Sequence, residues 1–262
     1  MTPGPTFKEL FCLHRKFLLF NLIARNLKIR YRKSFLGMVW TVLIPAGTAC
    51  IYFVIFNFVF QVRIPNYPLF ILSGLIPWTF FNTSVISSIE SLVGNFQLLN
   101  KVPLPTPSLP LSETMTQFLN LILSLPILLV AMLILHVPLA WPALQYPILI
   151  GFLFLITYAI GLALSLLYVY FRDLKHLVAL IMQFWFYLTP VMYSEQMVPE
   201  RFRTLLNINP LSSIFLGFHA ALVDGEWLPL EKWLYIGVWT LILVLASKAL
   251  LSKLSHSINE TL

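Results

Sequence analysis

No Asp, Glu, Lys or Arg occurs between Lys33 and Arg63, Arg63 and Glu90, Glu113 and Arg172, Lys175 and Glu195, or Lys232 and Lys248. Charge-free runs of this length leave a chain few options. About 20 apolar residues carry a helix across the hydrocarbon core, and backbone groups in lipid must satisfy one another, which makes each crossing a helix. The runs lack the period-2 alternation a membrane barrel requires. The gap from Glu113 to Arg172 is too long for one crossing and is interrupted by His136-Val137-Pro138 and Trp141-Pro142, so it holds two. Six spans follow, over Leu36–Phe60, Leu69–Ser91, Leu109–Leu135, Tyr146–Tyr170, Leu177–Tyr193 and Trp233–Leu251. Composition agrees: 59% of the residues are hydrophobic and 10% charged, against about a quarter charged in soluble domains. The expected fold is an all-α membrane protein.

An even span count puts both termini on one side. That side collects 13 of the 17 basic residues, so the positive-inside bias predicts cytoplasmic termini in the inner (plasma) membrane. The same bias accounts for the pI near 9.5, and no nucleic-acid-binding motif accompanies it. The first long apolar run begins only near Phe35, so no cleavable signal peptide is expected. Cys12 and Cys50 fall in different environments, which argues against a disulfide or a metal site.

The domain division expected is residues 1–35, a cytoplasmic tail, then residues 36–262, a six-helix transmembrane domain with an outer-side cap over 194–231. In the tail, Phe7, Leu10, Phe11, Phe17, Leu18, Ile23 and Leu27 alternate near helical spacing with Arg15, Lys16, Arg25, Lys28 and Arg30. This mixture suits an amphipathic helix in the headgroup plane; a plain basic anchor is the alternative. The proline-rich stretch Lys101-Val102-Pro103-Leu104-Pro105-Thr106-Pro107 is stiff. It reads equally as a docking loop or as a rigid turn. In the cap, Asn209-Pro210 starts a helix, since Pro suits the first helical position. The apolar run Leu211–Phe218 beyond it predicts short re-entrant helices, with a surface loop as the other reading.

Chemistry on this chain is sparse. The acidic residues lie in loops or at span ends, and the histidines show no metal spacing. There is no phosphate loop of the Gly-x-x-x-x-Gly-Lys-Ser/Thr kind and no ionisable group at mid-depth to relay protons. Energy for transport would then come from another chain. The spans are instead aromatic, with Tyr52, Phe53 and Phe56 in the first, Trp78 in the second, and Phe184, Trp185 and Tyr187 in the fifth. Two readings stand: weak ring faces along which sugars slide, or ordinary helix packing and headgroup-level belts.

Three stretches together resemble a known family: Leu22–Trp40, containing Arg30-Tyr31-Arg32-Lys33-Ser34-Phe35-Leu36-Gly37; Tyr170-Phe171-Arg172-Asp173-Leu174; and Phe186–Tyr193, containing Thr189-Pro190-Val191, followed by Asn209-Pro210. The chain, from about Phe7 to Lys253, is similar to the permeases of ABC exporters for O-antigen, capsule and teichoic-acid polymers, which are type-2 ABC transporter permeases. The resemblance implies an exporter of lipid-linked polysaccharide with six spans, an N-terminal interfacial helix and a homodimeric permease. Two copies of a separate ATPase subunit would bind ATP and Mg, leaving no cofactor on this chain. If the stiff cytoplasmic segment and the Phe171-Arg172-Asp173 turn dock on that ATPase, coupling falls on Asn95, Gln97, Lys101, Arg172 and Asp173, although Arg172 and Asp173 also suit the helix ends beside them. The resemblance places an exit gate at Asn209, Pro210, Phe215 and Phe218. A drug or glycolipid exporter of the same architecture is the alternative, followed by a lipid-embedded glycosyl- or acyltransferase.

Overall fold

The computed structural model describes residues 13–32, 36–55, 58, 64–101 and 104–261, with 13–16, 38, 99–101 and 255–261 placed in backbone only. The last three residues of the expected tail, 33–35, lie outside them. No strand occurs among the described residues. The helices are α1 (Leu13–Tyr31), α2 (Trp40–Val54), α3 (Tyr67–Ile89), α4 (Phe96–Lys101), α5 (Ser108–Ile134), α6 (Gln145–Tyr168), α7 (Leu174–Leu188), α8 (Glu200–Ile208), α9 (Pro210–His219) and α10 (Leu230–Thr261).

Four of the described stretches are long and apolar enough to cross a membrane: α3, α5, Trp141–Tyr168 containing α6, and Leu230–Leu254 within α10. They coincide with four of the expected spans. The first and fifth expected spans meet shorter helices. Among the described residues α2 and α7 have 15 residues each, about 22 Å at the helical rise. The fifth was expected over Leu177–Tyr193, but α7 occupies Leu174–Leu188. Its end has a local cause. Pro190 cannot continue the hydrogen-bond ladder and pushes the preceding residue out of the helical region, and Thr189 is extended at φ −106° and ψ 133°. A fifth candidate crossing is a broken one, in which α8 and the stretch Pro210–Asp224 meet at 102°.

α3 carries no charged residue, its polar positions being Ser, Thr and one Asn, and it is buried around most of its circumference, the pattern of a helix enclosed by others. Leu69, Ile71, Phe81, Val85 and Ile89 are fully enclosed, and α2, α5, α6, α7 and α9 all pack on it. Two devices set these contacts. Phe80, Phe118 and Phe154 join α3, α5 and α6 with ring centroids 5.1–6.4 Å apart. Between α3 and α6, small residues meet at Ser88 and Gly161. A Cβ on Gly161 would come within 2.8 Å of Ser88 Cβ. Small side chains let helix backbones approach closely, which is how apolar helices gain contact without a hydrophobic driving force.

Candidate functional site

The end of α7 and the start of α9 are fastened by one amide. Asn209 Oδ1 accepts from Leu211 N (3.1 Å) and from Trp185 Nε1 (3.0 Å). Its Nδ2 donates to Leu188 O (3.2 Å) and Thr189 Oγ1 (3.0 Å). Both lone-pair directions and both N–H groups are used, and Pro210 occupies the first turn as expected. Phe215 and Phe218 are fully enclosed, in contact with Trp78 and Tyr146. They act here as packing that holds the bend. Behind them His219 Nε2 donates to Pro190 O (2.9 Å), while Nδ1 faces Ser73 Oγ (2.9 Å). The ring stacks on Phe70 at 3.7 Å. The 190–192 segment crosses α3 at Gly74, where a Cβ would meet Val191 O at 2.7 Å.

The expected aromatics divide by environment. Trp78 is buried, with Phe81, Phe186 and Phe215 around it at 5.2–5.9 Å. Trp185 is half-buried, edge-on to Phe81. Phe184 and Tyr187 point outward from α7, 65% and 66% exposed. Tyr52 and Phe53 are half-buried on α2. Phe56 lies outside the described residues. Sequence reasoning passed over Gln183, an exposed amide in the middle of α7. Its signal was a lone amide in a charge-free run, one turn before Tyr187.

At the opposite end of α7 the polar groups gather. α1 is bound to α5 by Asn26 Nδ2 to Glu113 Oε1 (2.8 Å), Arg30 Nη1 to Gln117 Oε1 (2.6 Å) and Tyr31 OH to Asn120 Oδ1 (2.9 Å). The bonds step in the same order along both helices, so the last turns of α1 run alongside α5. Burial pushes the Tyr31 phenol above its usual range, against the opposing Arg30 charge, and it stays a donor. This seam was also missed, although Glu113, Gln117, Asn120 and Ser124 recur at helical spacing on one face of α5.

Of the residues expected at a coupling surface, Asn95 accepts from Arg25 Nη2 at 2.7 Å. Gln97, Arg172 and Asp173 are exposed, as are Lys28 and Arg30. Arg172 sits over the Tyr168 ring at 5.4 Å. Asp173 was expected to suit the start of α7. It occupies the N-cap position but makes no side-chain cap hydrogen bond, its backbone being helical there where a capping residue is extended. The turn is closed by backbone bonds, among them Phe171 N to Leu167 O (3.0 Å) and Leu174 N to Phe171 O (3.2 Å), and beside it Lys175 Nζ meets Glu90 Oε1 at 2.8 Å, from α7 to the end of α3. The side chains of Arg15, Lys16 and Lys101 lie outside the described residues.

An all-helical bundle whose long helices are apolar, with polar groups gathered toward one end, defines a membrane-embedded subunit. Residues 18–223 match the ABC-2 type transporter family, and the chain belongs to it; it is a transporter permease. It is 32% identical over 247 residues to the O-antigen export system permease protein RfbA of Klebsiella pneumoniae, covering 94% of this chain and 95% of that one. A protein of the same name from Myxococcus xanthus is also 32% identical, with the same coverage. The polysialic acid transport protein KpsM of Escherichia coli is 22% identical over 240 residues, covering 87% of this chain and 90% of that one.

Proposed function

We propose that this chain is the membrane half of an ATP-driven exporter that carries a lipid-linked polysaccharide of O-antigen or capsule type across the inner membrane. The near full-length likeness to permeases named for O-antigen export supports that cargo. In this reading the chain spans the membrane six times, α7 being a short crossing, and both termini are cytoplasmic. α1 skirts the headgroup layer, where the exposed Phe17, Phe20 and Ile29 and the exposed Lys28 and Arg30 meet lipid and phosphate together. Residues 1–35 form the tail, 36–262 the transmembrane domain, and 194–231 its outer cap.

The observation that carries the path is the outward face of α7. Gln183 and Tyr187 bring an amide and a phenol to a surface that would otherwise meet lipid. An amide without a hydrogen-bond partner in an apolar medium costs about 1–3 kcal/mol on protein scales. A second copy of the chain across a wet path removes that cost. The permease is therefore a homodimer with the α2 and α7 faces opposed. Tyr52, Phe53, Phe56, Phe184 and Tyr187 line the path, with Trp78 and Trp185 packed behind. Asn209, Pro210, Phe215 and Phe218 keep the bend that closes the exit. Two copies of an ATPase subunit, holding ATP and Mg, dock on Asn95, Gln97, Lys101, Arg172 and Asp173.

Loss of this chain in its native cell tests the cargo. The expected result is polysaccharide retained on its lipid carrier inside the cell and missing from the surface, both reversed by the wild-type gene. Surface polysaccharide unchanged by the loss overturns the reading.

A further inference from the structure

The two ends of α7 are held by opposite means. Where α7 meets α9, the Asn209 amide makes four hydrogen bonds, three of them to Trp185, Leu188 and Thr189. Asn209 is 9% exposed, so water offers these groups little in exchange. Along the helix itself only Val178 and Met182 are buried. At the opposite end Lys175 Nζ meets Glu90 Oε1 at 2.8 Å, and the two side chains are 39% and 47% exposed. The same oxygen accepts from Tyr168 OH, at the end of α6, at 3.4 Å. One end of the helix is therefore stapled inside the protein, and the other is held by an ion pair open to water.

Both charges of that pair stand against the helices that carry them. Glu90 occupies the C-cap of α3, where the macrodipole disfavours an anion. Lys175 lies in the first turn of α7, where it disfavours a cation. Each placement costs a little, and an ion pair this exposed returns about as little. The contact holds α7 to α3 at almost no net gain, so a small force parts it. Its place in the chain supplies the force: Glu90 leads into the turn with Asn95 and Gln97, and Lys175 follows Arg172 and Asp173. We propose that the Glu90–Lys175 pair is a latch on the path helix. An ATPase that shifts the 90–97 segment against the 172–175 turn separates the two side chains, and the freed end of α7 swings about its Asn209 anchor. The inference rests on the reading of α7 as a wall of the path and of these two turns as the docking surface.

The experiment uses the complex of the full chain with its cognate ATPase in proteoliposomes, with Cys12→Ala and Cys50→Ala as background. Glu90→Cys and Lys175→Cys together report the separation, through the rate at which a short, reducible bis-methanethiosulfonate joins them. That rate is expected to fall about tenfold between the nucleotide-free complex and one held by a non-hydrolysable ATP analogue, an ordinary coupling between two sites. The joined complex is expected to lose export and to regain it on reduction. A second variant, Glu90→Lys with Lys175→Glu, keeps the pair but puts each charge at the helix end that favours it. A pair that only stabilises would then give higher thermal stability and unchanged export. A latch gives higher thermal stability and export about tenfold slower, because the reinforced pair is harder to part. A joining rate indifferent to nucleotide, export by the joined complex, or normal export by the swapped pair overturns the proposal. Loss of ATPase binding in the swapped pair assigns both charges to the docking contact and overturns it equally. A wild-type complex that moves no polysaccharide overturns the functional reading, and the latch falls with it.

Discussion

Asn209 is the residue on which the bend between α8 and α9 turns, because its amide has no hydrogen-bonding capacity left over. Asn209→Leu would leave Trp185 Nε1 and Leu211 N without their acceptor, at about 1–3 kcal/mol for each buried group left unsatisfied. Asn209→Asp keeps the acceptor and loses the two donor contacts. The expected order of thermal stability is therefore wild type, then Asp, then Leu, measured on the purified chain in detergent. Equal stability of all three would show that the staple contributes nothing. Sequence pattern reached this residue, since Asn-Pro ahead of an apolar run signals a helix start. Its partners were not legible, because Trp185 and Thr189 meet it only through the tertiary fold. The α1–α5 seam shows the converse. Its spacing was readable on α5, but nothing in the sequence marked Asn26 and Arg30 as its partners.

Among the elements, α3 and α6 depend on closeness. Gly161→Leu would drive a branched side chain into Ser88, and overpacking of this kind costs about 1–3 kcal/mol. The expected outcome is reduced membrane abundance, partly restored by Ser88→Gly, whose missing Cβ returns the space. No rescue would place the cost of Gly161→Leu elsewhere on α6. α7 behaves differently. Tyr187 and Gln183 touch little of their own chain, so Tyr187→Ala and Gln183→Leu are expected to leave abundance unchanged and to lower export. Trp78→Ala is the contrasting case, because truncating an enclosed aromatic costs about 3–5 kcal/mol and abundance itself should fall. Equal abundance loss in all three would return the α7 face to packing. Charge-free runs located α3, α5 and α6 within two residues, while α10 runs ten residues past the expected end at Leu251. They overran α7 at Pro190, because hydropathy continues through Val191 and Met192 while the backbone does not. They also could not tell the inward from the outward aromatics of α7. Phe184, Trp185, Phe186 and Tyr187 are consecutive, and only the neighbouring helices decide which rings are enclosed.

For the whole molecule, topology and energy source are the claims that matter. The charge bias predicts that Cys12 reacts with impermeant thiol reagents from the cytoplasmic face and that a cysteine introduced by Arg201→Cys reacts from the opposite face. The exposed Cys50 is first replaced by Ala. Labelling of both positions from one side would contradict six crossings. The central claim is that the chain moves a lipid-linked polysaccharide using ATP split by a partner. Its most direct measurement is translocation in proteoliposomes that carry lipid-linked polysaccharide on the outer face. They would hold this chain alone, the cognate ATPase alone, or both, with the ATPase facing outward. The account predicts ATP-dependent appearance of polysaccharide in the lumen only when both are present, and no ATP hydrolysis by this chain alone. Translocation by the chain without its partner, or none by the assembled complex under steady hydrolysis, would contradict it.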